Sequence, residues 1–237
     1  MRPLTSTELL HIWENGFGQP NIEKACSILA VASSSAEMDT IKRWSIEERD
    51  IRLFYLRYWM FGDSFVNTAN CPKCNEQVEW NMNINEFSIP PLPLHKNTEF
   101  HFSTQDYKIL YRLPNSEDLN LTDSGKILSN CLLEIKKQDK PISSQELPQT
   151  VVELLGTEME KTSPLSNISI NLNCSECSNQ WEMNFDILTY LWTEIDNWAM
   201  KILHEVYLLA NAFKWSEKDI LNMSNRRRRI YLNMIQA

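Results

Sequence analysis

The sequence of 237 residues predicts an α+β fold that is mostly helical and contains two β-hairpin knuckles and a small inserted α+β segment. Apolar residues recur every three or four positions near both ends of the chain, which is the period of an amphipathic helix. Between positions 99 and 113 they alternate with polar residues, which is the period of a β-strand. In addition, the segment 66–84 returns 103 positions later as the segment 169–187.

Each copy of the repeated segment carries one Cys-x-x-Cys pair with strand-like sequence on either side. The residues shared by the two copies are Asn70/Asn173, Cys71/Cys174, Cys74/Cys177, Gln77/Gln180, Glu79/Glu182, Asn81/Asn184 and Ile84/Ile187. Alternation predicts that apolar residues of the second strand in each copy face inward, leaving the glutamate and the second asparagine of that copy outward. These inward residues are Val78, Trp80 and Met82 in the first copy and Trp181, Met183 and Phe185 in the second.

The two pairs together have the ligand set of one metal site. A Cys-x-x-Cys turn between two short strands presents two thiolates to one ion, and two such turns complete a tetrahedron. The pattern therefore predicts one zinc ion bound by Cys71, Cys74, Cys174 and Cys177, in a zinc ribbon that the inserted segment splits. Four thiolates leave no open coordination position, so this zinc would be structural. A lone four-thiolate site also favours zinc over iron.

Other interpretations of the cysteines remain open at this point. The four could be reduced and half-buried without a metal, or could form two disulfides, which would require an oxidising compartment that nothing in the sequence indicates. A redox-active Cys-x-x-Cys usually lies at a helix N-terminus, whereas each pair here leads into another strand. Cys26 and Cys131 lie on apolar helix faces and are predicted to be core residues.

The N-terminal region is predicted to be helical. A first helix, capped by Ser6-Thr7, is expected to stop at Gly16, and a second is expected to follow Pro20. A capping box formed by Ser45 and Glu48 predicts the start of a further helix, because each side chain satisfies a free amide of the first turn.

The middle of the chain is predicted to form the inserted α+β segment. A proline-rich stretch, 88–96, is typical of an extended linker, and 99–113 is typical of a β-hairpin. Two helices are then predicted, over about 126–137 and 148–161.

The C-terminal region begins with a predicted amphipathic helix from Ile187 to Phe213, about 40 Å long. Two short helices, capped by Ser216 and Ser224, are expected to follow it. The predicted regions are thus 1–65, helical; 66–89 with 166–186, the split ribbon; 90–165, the insert; and 187–237, the C-terminal helices.

Composition and motifs argue against several functional classes. The formal net charge is −8, with a balance of +4 over residues 201–237 and −12 over the rest, so general nucleic-acid binding is not expected. There is no glycine-rich phosphate loop, no nucleophile elbow and no catalytic serine or cysteine arrangement, so we predict no catalytic residue, no enzyme and no small-molecule substrate. No secretory signal is expected from the first residues, and charges interrupt the apolar run 185–213, so no membrane insertion is expected either.

The basic cluster Arg226–Arg229 is a candidate partner-binding element. Four successive helical residues spread over about 400° of arc, so some of them must face the body of the protein or a partner. Salt bridges to the acidic body, docking to another protein and phosphate binding are the three alternatives. Trp192 and Trp198 on the long helix could add to a partner surface or could pack in the core.

Several stretches of the chain together resemble a family of baseplate proteins from contractile phage-tail-like injection systems. That family is similar to the hub or hub-assembly proteins of T-even-type phage baseplates. The stretches are ELLHIWENGFGQP, RDIRLFYLRYWMFGDSF, NCPKCNEQVEW, YRLPNSEDL, CLLEIKKQDKPI and FDILTYLWTEIDNWAMKILHEVYLLANAFKWSEKDILNMSNRRRRIYLNMI.

The resemblance implies a non-enzymatic structural or assembly role, with other baseplate or hub subunits of a contractile particle as partners. It also implies that the protein is located in the bacterial cytoplasm during assembly. If the protein stays bound after assembly, it is also part of the mature particle. The alternative hypothesis is a zinc-ribbon adaptor that binds nucleic acid through Arg226–Arg229.

Overall fold

The computed structural model describes residues 1–33, 36–92, 98–120 and 123–236, and within them it shows a mixed α/β protein with three small antiparallel sheets. The helices are α1 (Ser6–Gly16), α2 (Asn21–Ala32), α3 (Met38–Arg43), α4 (Ile46–Phe61), α5 (Ser124–Cys131), α6 (Gln149–Thr162), α7 (Ile187–Phe213), α8 (Glu217–Leu221) and α9 (Asn225–Gln236). The strands are β1 (Ser64–Asn70), β2 (Gln77–Asn83), β3 (Phe100–Ser103), β4 (Tyr107–Tyr111), β5 (Leu132–Lys137), β6 (Lys140–Pro141), β7 (Ile168–Asn173) and β8 (Gln180–Phe185).

The chain forms two compact units. One consists of Met1–Ser35 and Leu188–Ala237, so it joins helices from both ends of the chain. The other consists of Ala36–Ile187 and contains the strands together with α3 to α6. The predicted N-terminal helices therefore divide between the two units.

The unit built from the chain ends is organised along the long helix α7, which confirms the predicted helix from Ile187 to Phe213. Helix α1 ends at Gly16 as predicted, but its cap is Thr5, whose side chain accepts from the Glu8 amide, rather than Ser6-Thr7. The buried residues on the stripe of α7 are Leu188, Leu191, Ile195, Ala199, Ile202, Val206 and Leu209. Such a stripe, at helical spacing, gives this unit an ordinary apolar core.

In the second unit, helix α4 directly precedes strand β1, which leads to the first cysteine pair. The Ser45 hydroxyl accepts a hydrogen bond from the Glu48 amide, so the predicted start is confirmed. The helix is followed by Gly62, whose φ of 94° lies in a region that suits glycine because it has no β-carbon. The chain then enters β1 directly.

The insert forms its own sheet, with strand order β3-β4-β5-β6. The predicted hairpin is confirmed as β3 and β4, and the helix expected over 148–161 is confirmed as α6. One face of the sheet packs on α6 around a core of Tyr107, Ile109, Tyr111, Leu113, Cys131, Ile135, Val151, Leu155 and Met159.

The helix predicted over about 126–137 is wrong beyond residue 131. Helix α5 ends at Cys131, and Leu132–Lys137 forms β5, which pairs with β4 in an antiparallel register. Strand β4 offers unpaired backbone groups and a buried face for Ile135, and these non-local contacts override local helix propensity. Residues 93–96 of the predicted proline-rich linker lie outside the described residues.

Backbone hydrogen bonds hold the insert against the start of α4. The Ile46 amide donates to the Pro114 carbonyl at 2.9 Å, and the Ser116 amide donates to the Lys42 carbonyl at 3.2 Å. At the far end of the insert, the Leu165 amide donates to the Glu47 carboxylate at 3.2 Å. The middle of the insert and its last residue are thus tied to α3 and to the start of α4.

Candidate metal centre

The first cysteine pair lies in the turn between β1 and β2. The strands pair from Ser64↔Asn83 to Asn70↔Gln77, so the turn begins at Cys71. The Cys71 amide donates to the Glu76 carbonyl at 2.8 Å, and the Asn75 amide donates to the Cys71 carbonyl at 2.9 Å. Asn75 has a φ of 61°, a left-handed conformation that asparagine tolerates better than most residues.

The second pair repeats this turn between β7 and β8. The Cys174 amide donates to the Asn179 carbonyl at 2.9 Å, and the Ser178 amide donates to the Cys174 carbonyl at 3.0 Å. Ser178 has a φ of 54° and so takes the same left-handed conformation as its counterpart. The sequence repeat is therefore a structural repeat, down to the two backbone hydrogen bonds that close each turn.

The two turns meet at their sulfur atoms. All four Sγ atoms of Cys71, Cys74, Cys174 and Cys177 lie within 4.8 Å of one another. Cys71 Sγ is 3.6 Å from Cys177 Sγ, and Cys74 Sγ is 3.6 Å from Cys174 Sγ. The first cysteine of each turn thus faces the second cysteine of the other turn. This arrangement is the one expected if the two turns are related by a local twofold axis.

These sulfur–sulfur distances fit four ligands arranged as a tetrahedron around one metal ion. Zinc–sulfur bonds of about 2.3 Å place the sulfurs of a regular tetrahedron about 3.8 Å apart, close to the separations observed. They do not fit disulfides, whose sulfurs are about 2.05 Å apart, and all four cysteines are free. The cluster could therefore hold one metal ion, with Cys71 and Cys174 buried and Cys74 exposed.

The electrostatics of the cluster favour a cation. Burial would raise the pKa of the Cys71 thiol, but the amides of Cys74 and Lys73 donate to its sulfur and lower that pKa to about 6. The Glu76 amide acts in the same sense on Cys74, yet the neighbouring sulfurs and burial raise the pKa of Cys74 to about 12. Four sulfurs this close cannot all become thiolates unless a positive charge lies among them.

The bases of the two hairpins are joined by an aromatic cluster that the sequence pattern did not reveal. It consists of Phe54 on α4, Phe65 on β1, Phe87 after β2 and Phe185 on β8, with ring centroids 4.8–6.1 Å apart. The members come from four separate segments, so no local periodicity connects them. This cluster and the cysteines fix the hairpins at opposite ends.

Arg57 is a second residue missed by sequence reasoning. It is only 2% exposed, and its guanidinium donates to the carbonyls of Gly62 and Ser64 at 2.7 and 2.6 Å. The same group lies 3.9 Å from the centroid of the Phe65 ring. Arg57 therefore fixes the path of the chain from α4 into β1, and through it the position of the first cysteine turn.

The predicted partner residues do not form one surface. Arg228 is 2% exposed and donates to Glu205, to the Met223 carbonyl and to Asn225, whereas Arg226, Arg227 and Arg229 are exposed. The buried arginine thus attaches α9 to α7, and the exposed ones remain candidates for partner contacts.

The two candidate tryptophans are half-buried within the same unit. The Trp192 ring lies directly against Gly16, where a β-carbon would clash, and Lys24 Nζ is 4.5 Å from its centroid. Trp198 packs against the core around α7 and α8. The expected core positions of Cys26 and Cys131 are confirmed, since both are 0% exposed.

Comparison with known proteins decides the family. A family model described as T4 bacteriophage base plate protein matches residues 18–192. The chain belongs to this family. Neither the curated proteins nor the solved structures include a significant match to it. Membership supports a structural or assembly role in a phage baseplate and interaction with other baseplate components. The match contains both cysteine turns and ends before α8 and α9.

In the described part of the chain, no helix combines the length and the apolar character that a membrane crossing requires.

Proposed function

We propose that this protein is a non-enzymatic structural or assembly component of the baseplate of a contractile phage-tail-like injection system, stabilised by one structural zinc ion. The observation that carries the proposal is the match to the base plate family over residues 18–192. The motifs outside that range, above all the C-terminal arginine element, support the narrower assignment to injection systems. Assembly would take place in the bacterial cytoplasm.

The zinc ion would be held by Cys71, Cys74, Cys174 and Cys177. With four sulfur ligands it would offer no position for water or substrate, so its contribution would be to link the two hairpins. The chain prepares the site by closing both turns with the same backbone hydrogen bonds and by directing amide donors at Cys71. The two halves of a split zinc ribbon would then behave as one rigid element on which the insert is mounted.

The exposed arginines of α9 would dock a neighbouring subunit. Among the described residues, no acidic side chain forms an ion pair with Arg226, Arg227 or Arg229. Ile230 and Met234 on the same helix are 48% and 62% exposed. Arginine beside exposed apolar side chains is a composition enriched in protein interfaces.

The proposal is tested by native mass spectrometry of the tagged protein taken from its own host, with intact particles and the free pool measured separately. The expected result is a complex with baseplate subunits in which this chain carries the additional mass of one zinc. Recovery from finished particles would identify a permanent subunit, and recovery only from precursors would identify an assembly factor. Recovery alone, or with nucleic acid, would contradict the proposal.

The docking role of α9 is tested by Arg226→Glu combined with Arg229→Glu. We expect fewer assembled particles with no change in the melting temperature of the isolated protein, because both side chains are exposed. The matched control is Lys214→Glu combined with Lys218→Glu, which alters the net charge equally at exposed positions of the same unit. Equal losses from both pairs would show that net charge, and not this surface, matters.

The alternative role as a nucleic-acid adaptor would use the same arginines on phosphates. Such binding would weaken steeply with salt, because each neutralised phosphate releases counterions. Absence of binding to duplex DNA and to RNA at low ionic strength would remove this alternative.

A further inference from the structure

A small cavity lies between α7 and α9, within the unit built from the chain ends. Its volume is about 100 Å³. Its polar lining consists of Lys201 and Glu205 on α7 and of Asn225, Arg228 and Arg229 on α9, and the half-buried Trp198 adds an aromatic side. On each helix these residues are three or four positions apart, so they share one face. The cavity is therefore a gap between two helix faces in which cations outnumber acids.

One of these cations is fully used by the fold. Arg228 is 2% exposed and donates to Glu205 at 3.2 Å, to the Met223 carbonyl at 2.6 Å and to Asn225. Of the described residues that line the cavity, Glu205 alone is acidic. Its carboxylate is thus already paired with the cation that attaches α9 to α7.

The other two cations of the lining have no such partner. Lys201 and Arg229 are exposed, and in the part of the chain that the structure describes neither of them forms an ion pair. Two positive charges beside one small cavity repel each other, so this placement does not stabilise the isolated chain. A carboxylate held between them would replace the repulsion with charge-assisted hydrogen bonds, which are about twice as strong as neutral ones.

The remaining arginines of α9 are placed differently. Arg227 lies over the Tyr231 ring, 5.7 Å from its centroid. Arg226 is exposed but does not line the cavity. Arg229 is therefore the exposed arginine of α9 that a group in the cavity would contact.

The size of the cavity indicates the class of its ligand. Pockets for cofactors and small-molecule ligands have volumes of about 300–1,000 Å³, several times the volume found here. One carboxylate head group fits a space of this size, and its methylene stem would lie along Trp198. Arginine and tryptophan are also the residues enriched where protein interfaces bind most strongly.

We propose that this cavity binds one aspartate or glutamate side chain of a neighbouring baseplate subunit, held between Lys201 and Arg229. The guanidinium would donate two parallel hydrogen bonds to the carboxylate, and the ammonium would donate another. A protein carboxylate is favoured over a nucleic-acid phosphate because the chain has a net charge of −8, which repels an extended polyanion. This inference rests on the proposed function, since it names the chemistry of the partner that α9 docks.

Carbodiimide cross-linking tests the inference directly. The reagent activates a carboxyl group and takes up the elements of water as the carboxyl group condenses with an amine that touches it, so the amide forms without a spacer. Baseplate preparations from the host are treated and digested, and cross-linked peptides are identified by mass spectrometry. We expect an amide between Lys201 Nζ and an aspartate or glutamate of another baseplate subunit.

Two controls identify the amine. Lys201→Arg keeps the positive charge but removes the reactive amine, so this cross-link should disappear. Lys218, exposed on α8 in the same unit, should not couple to the segment that Lys201 captures.

Three results would overturn the inference. They are amides from Lys201 only to carboxylates of this chain, no amide from Lys201 although the protein co-purifies with baseplate subunits, and binding of DNA or RNA that Lys201→Gln combined with Arg229→Gln abolishes. The first two results would leave the proposed function intact. Absence of the protein from all baseplate preparations would contradict both.

Removal of single charges separates the cavity from the rest of α9. Lys201→Gln and Arg229→Gln should each lower the amount of protein recovered with baseplate subunits about tenfold, as expected for the loss of a hydrogen bond to a charged group. Arg226→Gln is the matched control, because it removes the same charge from an exposed position of α9 outside the cavity, and its effect should be smaller. Equal losses from Arg226→Gln and Arg229→Gln would overturn the inference, while the proposed docking by α9 would stand.

Discussion

The cysteine hairpins and the inserted sheet are both small antiparallel structures, but they are stabilised in different ways. The inserted sheet has four strands that pack on α6 around a continuous buried core. The hairpins form separate two-stranded sheets whose inward side chains are mostly half-buried. A two-stranded hairpin is marginally stable by itself in water, whereas three or more strands with a covered apolar face are stable.

The comparison shows why cysteine has two roles in one chain. In the insert, Cys131 is 0% exposed and fills space in a core that other residues build. In the hairpins, four cysteines lie at the tips, opposite the phenylalanine cluster at the bases. In the hairpins, where buried apolar area is small, a metal bound by the four cysteines would supply the missing stabilisation.

Loss of a metal ligand should have the largest effect. Cys71→Ser or Cys174→Ser is expected to destabilise the protein by several kcal/mol, because metal binding at such a site contributes directly to folding free energy. Zinc per chain, measured by elemental analysis, should fall from one to near zero, and the melting temperature should fall with it. If the melting temperature is the same in zinc-free buffer with a chelator, the hairpins do not depend on a metal.

Truncation of the insert core should be comparably costly without affecting the metal. Leu155→Ala removes a side chain that is 0% exposed and is expected to cost about 2–5 kcal/mol. Zinc per chain should stay at one, as measured on the folded variant. Loss of zinc from this variant would show that the insert and the hairpins are not stabilised independently of each other.

An ion pair in the insert should make its stability depend on pH. Burial would raise the pKa of Asp118, but the Arg112 guanidinium at 2.6 and 2.9 Å and the Asn115 amide lower it below its usual value. Its contribution is therefore present above the unfolded-state pKa of about 3.9 and is lost as pH falls through the folded-state value. Asp118→Asn should cost about 1–3 kcal/mol at pH 7.

The difference between the native protein and Asp118→Asn should shrink as the pH is lowered below about 4. Urea unfolding of both proteins between pH 3 and 7 measures it. A constant difference across this range would show that the Asp118 charge contributes nothing to the insert.

Substitution of the core cysteine should have the smallest effect. Burial raises the pKa of the Cys131 thiol to about 11, so at neutral pH it is a protonated apolar group. Cys131→Ala should cost about 1 kcal/mol, as expected for the loss of one small buried group, and should leave zinc content unchanged. Alkylation of the native protein should leave Cys131 unmodified until the protein unfolds, because its thiol is buried and protonated. Modification of Cys131 under native conditions would contradict its place in the insert core.

Much of the fold could be predicted because the signals are local. The stripe of α7, the Ser45 cap of α4 and the alternation of β4 depend on side chains a few positions apart, and all three were found as expected. The helix expected to continue past Cys131 failed because β5 forms by pairing with β4, a contact that no local pattern encodes. Short α3, Met38–Arg43, was missed for lack of a clear apolar stripe.

In the candidate metal centre, too, residues with a local sequence signal were predicted and residues whose partners are distant along the chain were not. The repeat identified the four cysteines, because the spacing within each turn and the matching context of the two turns are written in the sequence. The sequence did not reveal Arg57 or the phenylalanine cluster, whose partners are distant along the chain. It predicted that Arg226–Arg229 cannot all share one face, but not which of them is buried; the structure identifies Arg228, which attaches α9 to α7, and leaves the other three arginines exposed.

By itself the sequence thus determined the four clustered cysteines, the helical ends and the duplicated hairpin, since each depends on residue type and short-range spacing. Only the tertiary structure decided that the first cysteine of each turn faces the second cysteine of the other, and that a phenylalanine cluster joins the bases of the two hairpins. These features depend on where segments about 100 positions apart come to lie. That placement is set by the burial of apolar surface and by backbone pairing across the whole fold, which local patterns do not contain.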